Sequence, residues 1–382
     1  MNMNPAPNFP EIACHPVFQT LTASRAVQID RDPSALAEAF HQLGDYNLLG
    51  LRAPQHWGGQ AWESQQLYQF IEALTRCSGA LAFLQIQHQT AVAELAKSDN
   101  QTLKADYLSR AASGEIGVGI GYSHLRRSQP PMTAAATNDG FVFNGTIPWI
   151  TGFGIFQYAL LAAVLPNQQA VFVLAPFHSV QESDRLLIVS EPMPLAALTS
   201  TQTVTAKLEN WFVPKSLVVD IKPADWIQQR DRQNPLSHSF FCLGCAQAGL
   251  DVVAQQQDQG DHIAQIYDAL DGELALCRAK IYAALTEIDS TDRLELRAWA
   301  IDVMVRCAHA AVTVSRGAAA SLDHPAQRIY RESLAFTVFG QTEDVMNASL
   351  QYMARNMTRR QRIIQGASPF CNLTSLSLNP SP

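Results

Sequence analysis

The chain has 382 residues, 47% of them hydrophobic and 16% charged, and 27 Lys and Arg against 34 Asp and Glu leave a net charge of −7. So apolar a composition excludes a disordered chain, and the acidic balance gives no reason to expect nucleic acid or an anionic membrane surface as partner. A typical soluble domain carries roughly 25% charged residues; the shortfall implies that much of this surface is buried against another subunit or a large ligand. Along the chain, residues 35–43, 63–77, 81–97 and 101–113 show helical spacing of apolar residues, the first behind the cap chemistry of Asp32-Pro33-Ser34. At Gly114 the period changes. Residues 140–145 read as a strand running into an Asn144-Gly145 turn. Residues 158–165 and 169–175 read as a hairpin, and 186–189 and 201–208 as further strands. After Pro223 the helical period returns over 240–257, 262–285, 292–321 and 326–356.

These patterns predict an α+β multidomain chain. Residues 1–115 form an N-terminal helical domain, 116–222 a small central β-barrel or sandwich, 223–366 a C-terminal four-helix bundle, and 367–382 an extended tail. The apolar runs are too short to span a bilayer, so membrane insertion is not expected. Residues 1–10 lack a basic region followed by an apolar one, so no export signal is expected. Seven cysteines in so long a chain do not make a disulfide scaffold. Cys242 and Cys245 form a lone C-x-x-C without a second ligand pair, which reads as helix core rather than metal or redox site. A reduced, cytoplasmic protein is the expectation.

Helices, then a small β unit, then a bundle is an uncommon order, and local motifs accompany it. Leu48-Leu49-Gly50-Leu51-Arg52-Ala53-Pro54 precedes Trp57-Gly58-Gly59; Asn144-Gly145 precedes Trp149-Ile150-Thr151; Phe212-Val213-Pro214 closes the β region. Gly244-x-Ala246-Gln247-x-x-Leu250-Asp251 and His324-Pro325-Ala326-x-Arg328-x-x-Arg331-Glu332 follow. Order and spacing resemble the acyl-CoA dehydrogenase superfamily over residues 35–344, nearly the whole chain. The resemblance implies FAD, with FMN as the alternative, and a flavin-dependent oxidation at the CH–CH group of an acyl-thioester-like substrate. In it Trp149 covers the flavin ring and Thr151 donates to its N5/O4 edge, while Ile120, Tyr122 and Ser123 meet the pyrimidine end. Arg316, Gly317 and Thr342 are the remaining cofactor positions. It implies a small-molecule substrate, acyl-CoA among the candidates, and a homodimer or homotetramer. An electron-transfer partner or a flavin reductase is implied as well.

The departures from the family pattern bear on the chemistry. The family's carboxylate base lies in "Y-E-G-T", which here reads Phe339-Gly340-Gln341-Thr342, so Gly340 stands where the base belongs. Its second known position falls on Asn234, which cannot act as a base. Asp231 and His124 are the substitute candidates, and Gly340→Glu would test the register by creating activity. Glu343 and Asp344 read as first-turn helix charges. Ser123-His124-Leu125-Arg126-Arg127 replaces the family's acidic loop at the acyl-CoA entrance; Arg126, Arg127 and His124 read there as solvated. His88 reads as a core histidine, and His324 as the third histidine to weigh. Without a base, two further readings stand beside dehydrogenation. One is a flavin-dependent monooxygenase on the same fold, of which dibenzothiophene monooxygenase is an example. The other is a non-catalytic homologue that binds flavin or another ligand.

Overall fold

The computed structural model describes residue 12 and residues 14–286 and 293–367, with side chains as far as 355; the predicted tail beyond 367 lies outside them. After a single helical turn at Pro16–Thr20 come two N-terminal helices, α1 (Ala23–Arg31) and α2 (Pro33–Asp45). Asp32 caps α2 by accepting the Ser34 N–H at 2.8 Å, and Pro33 occupies the first turn, where a missing N–H costs nothing. Leu36, Ala39, Phe40 and Leu43 then fall on one buried face. Helix α3 (Ser64–Cys77) opens with a reciprocal capping box between Glu63 and Gln66. Helix α4 (Gly79–Lys97) is buried on nearly all sides, which is why its apolar residues show little helical asymmetry. A helical segment over 101–113, α5, contains a π turn at Lys104–Leu108.

A mixed sheet of nine strands follows. These are β1 (Val118–Gly121), β2 (Met132–Ala136), β3 (Gly140–Ile150), β4 (Tyr158–Val164), β5 (Ala170–Pro176), β6 (Val180–Gln181), β7 (Leu186–Val189), β8 (Val204–Pro214) and β9 (Val218–Lys222). Their order is β6-β7-β8-β3-β2-β4-β5-β9, with β1 laid parallel on β4. The predicted hairpin of β4 and β5 forms, in register from Tyr158 opposite Pro176 to Val164 opposite Ala170. The predicted turn at Asn144-Gly145 does not. The strand runs on to Ile150, and the pair makes a bulge against β8. Gly145 sits at φ +134°, and a β-carbon there would meet the Pro131 carbonyl oxygen at 2.0 Å. Asn144 fixes the bulge by accepting the Asn210 N–H on β8 at 2.8 Å. The bulge therefore carries the strand past it, bringing Trp149 and Thr151 to the strand end.

The remaining helices are α6 (Trp226–Gln233), α7 (Ser239–Ala254), α8 (Asp261–Ala284), α9 (Arg293–Ser315), α10 (Pro325–Val338) and α11 (Glu343–Ala367). Helix α6 has no counterpart in the sequence reading: six of its eight residues are Gln, Arg or Asp, so no apolar period marks it. The predicted helix over 326–356 is two helices, because Phe339 and Gly340 break it between α10 and α11. Helix α7 is central to the bundle and packs on α3, α8, α9 and α10; Cys242 and Cys245 are fully buried in it, as helix core. Polar ties lock the layers together. Glu72 on α3 accepts from Arg278 at 2.6 Å and Tyr282 at 2.9 Å on α8. Glu332 on α10, wholly buried, accepts from Arg328 at 2.7 and 2.8 Å and from the Gly79 N–H at 3.1 Å. The Arg328-x-x-Arg331-Glu332 motif is thus a joint between α10, α4 and α1, Arg331 reaching Asp30 of α1.

Candidate functional site

One face of α4 is turned away from the core. Phe83, Ile86, Gln87, Thr90, Ala93, Glu94 and Lys97 recur at three- and four-residue steps and line a cavity of about 980 Å³. The rest of its wall comes from the end of β1 and the Ser123–Arg126 turn, from Pro148, Trp149 and Thr151, from Lys222, and from α6. The N-terminus of α7, the C-terminus of α10 and the turn after it complete the lining. Its size suits a drug-sized or cofactor-sized ligand. Among the described residues there is no cluster of His, Cys, Asp and Glu able to hold a metal ion.

The structure divides the predicted cofactor residues. Ile120, Tyr122, Ser123, Trp149 and Thr151 line this cavity together. Trp149 is 47% exposed, so it is not the core aromatic of a β unit. Thr151 is buried, its hydroxyl 3.0 Å from that of Thr203. The buried phenol of Tyr122 turns to α6 and accepts from Arg230 at 2.8 Å, which leaves the backbone of the segment as the part that faces the cavity with Ser123. Arg316, at φ +52°, lies instead in a second cleft of about 450 Å³ between α8 and α9, with His262 and His309. Gly317 stands in open space, and Thr342 accepts the Val345 N–H at the start of α11. The two sets do not meet in one chain.

The candidate bases are also accounted for. Gly340 lines the cavity at φ +67°, with the His238 ring against it: an added β-carbon would lie 2.4 Å from Nδ1. A carboxylate cannot be put there without moving that ring. Asn234 is exposed and donates its amide to the Arg230 carbonyl at 3.0 Å. Asp231 is forked by Arg126, with Nε and Nη2 at 2.7 and 2.8 Å from its two oxygens. Arg126 is therefore an ion-paired wall residue, not a solvated one, and Asp231 is not a free base. His124 is likewise not solvated. It is 1% exposed and donates Nε2–H to the Ala162 carbonyl at 3.1 Å, and burial pushes its pKa down to about 4. His88 is the core histidine expected, its Nε2–H on the Ala111 carbonyl and its Nδ1 accepting the Val118 N–H. His324 caps α10 by accepting the Ala326 N–H at 3.2 Å. Glu343 and Asp344 are exposed first-turn charges, as expected.

Sequence reasoning missed the residues that dominate the lining. His238 opens α7 beside Ser237, 3.0 Å from its hydroxyl. Burial, and then the charges of Arg297, Arg126 and Arg230, hold its pKa well below the ordinary histidine range, so it is neutral. Glu94 pairs with Lys222 at 3.1 Å, and Lys222 lies 4.9 Å from the centre of the Trp226 ring. Arg230 lies over the rings of Trp226 and Tyr122. The available signal was in α4: Gln87, Thr90, Glu94 and Lys97 repeat on one side of an otherwise buried helix, the mark of a polar cavity wall.

Comparison with known proteins follows the same lines. Residues 14–115 match the family model for the acyl-CoA dehydrogenase N-terminal domain. Over 141 residues, 35% of this chain and 33% of the relative, the sequence is 28% identical to the mitochondrial isovaleryl-CoA dehydrogenase of Bos taurus. The match therefore spans about a third of that curated relative's length. Two solved structures share the fold at 17% identity. Glutaryl-coenzyme A dehydrogenase in its glutaryl-CoA complex has a TM-score of 0.75, over 94% of this chain and 97% of that one. PigA with FAD and proline has a TM-score of 0.71, over 94% of this chain and 100% of that one.

Proposed function

We propose that this chain, which belongs to the acyl-CoA dehydrogenase superfamily, is a flavin-dependent oxidoreductase acting on an acyl-thioester-like substrate in the α4–α6–α10 cavity. One observation carries the reading: Ser123, Trp149, Thr151 and the turn at Phe339–Gln341, which are distant in sequence, line one cavity. These residues suit the ring end of FAD. The Trp149 indole is an apolar cover left open to the cavity, the buried Thr151–Thr203 hydroxyl pair has a proton to donate, and Ser123 adds an exposed hydroxyl. Arg316, which the resemblance assigns to the other end of the cofactor, lies outside this cavity. Its place in the second cleft supports an arrangement in which another copy of the chain supplies the residues for that end. When bound, FAD supplies a hydride acceptor at the substrate's β-carbon. The chain's own part is to orient: Phe83, Ile86 and Phe339 pack the acyl stem, and the α4 wall keeps bulk water from the reacting bond.

One observation favours a second reading, oxygenation by reduced flavin delivered by a reductase. Both carboxylates in the lining, Glu94 and Asp231, are engaged in ion pairs, and neither is a free α-proton acceptor. A single experiment separates the readings. The purified protein is expected to be yellow and to bleach when acyl-CoAs are added anaerobically. Colour that persists with every acyl-CoA, together with oxygen consumption in the presence of a flavin reductase, selects oxygenation. A colourless protein that takes up neither FAD nor FMN rejects both.

A further inference from the structure

The cavity is cationic in an acidic chain. Its lining holds Arg52, Lys97, Arg126, Arg127, Lys222 and Arg230 against only Glu94 and Asp231, although the whole chain carries −7. Both carboxylates are already used, Asp231 by Arg126 and Glu94 by Lys222. Arg52 and Arg127 are exposed, so water screens them. Arg230 is different. It is half-buried, and the one hydrogen bond of its guanidinium among the described residues goes from Nη1 to the neutral phenol of Tyr122. Trp226 and Tyr122 stack beside it at 5.3 and 5.9 Å and fix the plane of the guanidinium. A guanidinium held between two rings, with donors to spare and no carboxylate in ion-pair contact among the described residues, is built to bind an oxyanion in two-pronged fashion.

We propose that Arg230 receives a carboxylate carried on the acyl group of the substrate, so that the substrate class is an acidic acyl thioester rather than a plain fatty acyl one. This rests on the acyl-substrate reading above. The Gln87 amide on α4 agrees with it: Thr90 and Glu94 are satisfied by the Ile86 carbonyl and Lys222, but a hydrocarbon tail would take water from Gln87 and give it nothing in return. Phosphate from a coenzyme is the other oxyanion that could reach the fork, and the test separates the two.

The full-length protein, as isolated, is titrated with glutaryl-CoA, with pentanoyl-CoA of equal chain length and no carboxylate, and with free glutarate. Binding is read from tryptophan fluorescence, because Trp226 lies against Arg230. Glutaryl-CoA is expected to bind about tenfold or more tightly than pentanoyl-CoA, and glutarate alone to give a saturable change. Arg230→Gln is expected to abolish both the preference and the glutarate response. Arg230→Lys, which keeps the charge and loses the fork, should retain part of the preference and serves if the glutamine variant fails to fold. Arg110→Gln, a half-exposed substitution outside the cavity, should leave the preference intact. Equal affinity for the two thioesters overturns the proposal and leaves the acyl-CoA reading standing, with phosphate as the ligand of the fork. A preference that survives Arg230→Gln, or no response to either carboxylate probe, also overturns it. An Arg230-dependent glutarate response without binding of either thioester upholds the carboxylate site and rejects the acyl-CoA reading.

Discussion

Gly340→Glu would put a carboxylate where the family resemblance expects one in sequence, but without room for it in space. The backbone at φ +67° disfavours any side chain, and the new β-carbon would meet the His238 ring at 2.4 Å. The expected outcome is no gain of dehydrogenation and a loss of stability of roughly 1–3 kcal/mol; bleaching by acyl-CoA in the variant would show that His238 moves aside. The buried histidines make a second test. His88 and His124 are each pushed down to about 4, mainly by burial, below the unfolded value near 6.5. Folding therefore favours the neutral ring. The stabilisation is complete above pH 6.5 and is lost as pH falls from 6.5 toward 4, on the order of 3 kcal/mol for each ring. Thermal melts from pH 7 to 4 should show a steep fall that His124→Gln makes shallower, since glutamine can still donate to the Ala162 carbonyl without taking up a proton. Parallel curves for the two proteins would count against this assignment. At this scale the sequence disclosed residue types well and partners poorly. Asp231 and His124 were both legible as titratable groups beside the site, yet Arg126 and the Ala162 carbonyl, which neutralise their chemistry, sit 105 and 38 residues away.

Among the elements, α10 is held by a buried charge. Glu332 and Arg328 are paired one helical turn apart, and the Gly79 N–H completes the site. Removing one partner leaves the other buried and uncompensated, so Glu332→Ala should cost about 3–5 kcal/mol in urea unfolding. A loss below about 1 kcal/mol would mean that water reaches Arg328 once the carboxylate is gone. Helix α2 was readable because its cap and its apolar period agree, and α3 because its apolar face recurs at helical spacing. Helix α6 was not: a short run of Gln, Arg and Asp folds as a helix because Trp226 and Ile227 anchor it against the β5 side of the sheet, a tertiary cause. The bulge at Asn144-Gly145 was misread for a related reason. Asn-Gly is the strongest local hairpin signal, and here a partner strand on each side overrides it.

For the whole molecule, the bundle leaves apolar side chains in water. Tyr330, Leu334 and Val338 follow one another at four-residue steps along α10, between 43% and 61% exposed, and Met346, Leu350 and Met353 form a similar stripe on α11. Leu334 and Val338 also border the large cavity. A second copy of the chain packed on this face would cover the stripes and close that wall, in keeping with the low charged fraction. Sedimentation velocity is expected to give a homo-oligomer for the wild type and a smaller species for Leu334→Glu with Val338→Glu, together with weaker flavin retention. A wild-type monomer would reject this assembly.

By itself the sequence determined the order of helices, sheet and bundle, because period and capping are local properties of the chain. The resemblance of its motifs also led to the expectation that Gly340 stands at a base position. Only the tertiary structure decided which charges are free. Pairing depends on side chains brought together from distant elements, and it is there that Asp231 and Glu94 are engaged while Arg230, on the cavity wall, has no ion-pair partner among the described residues.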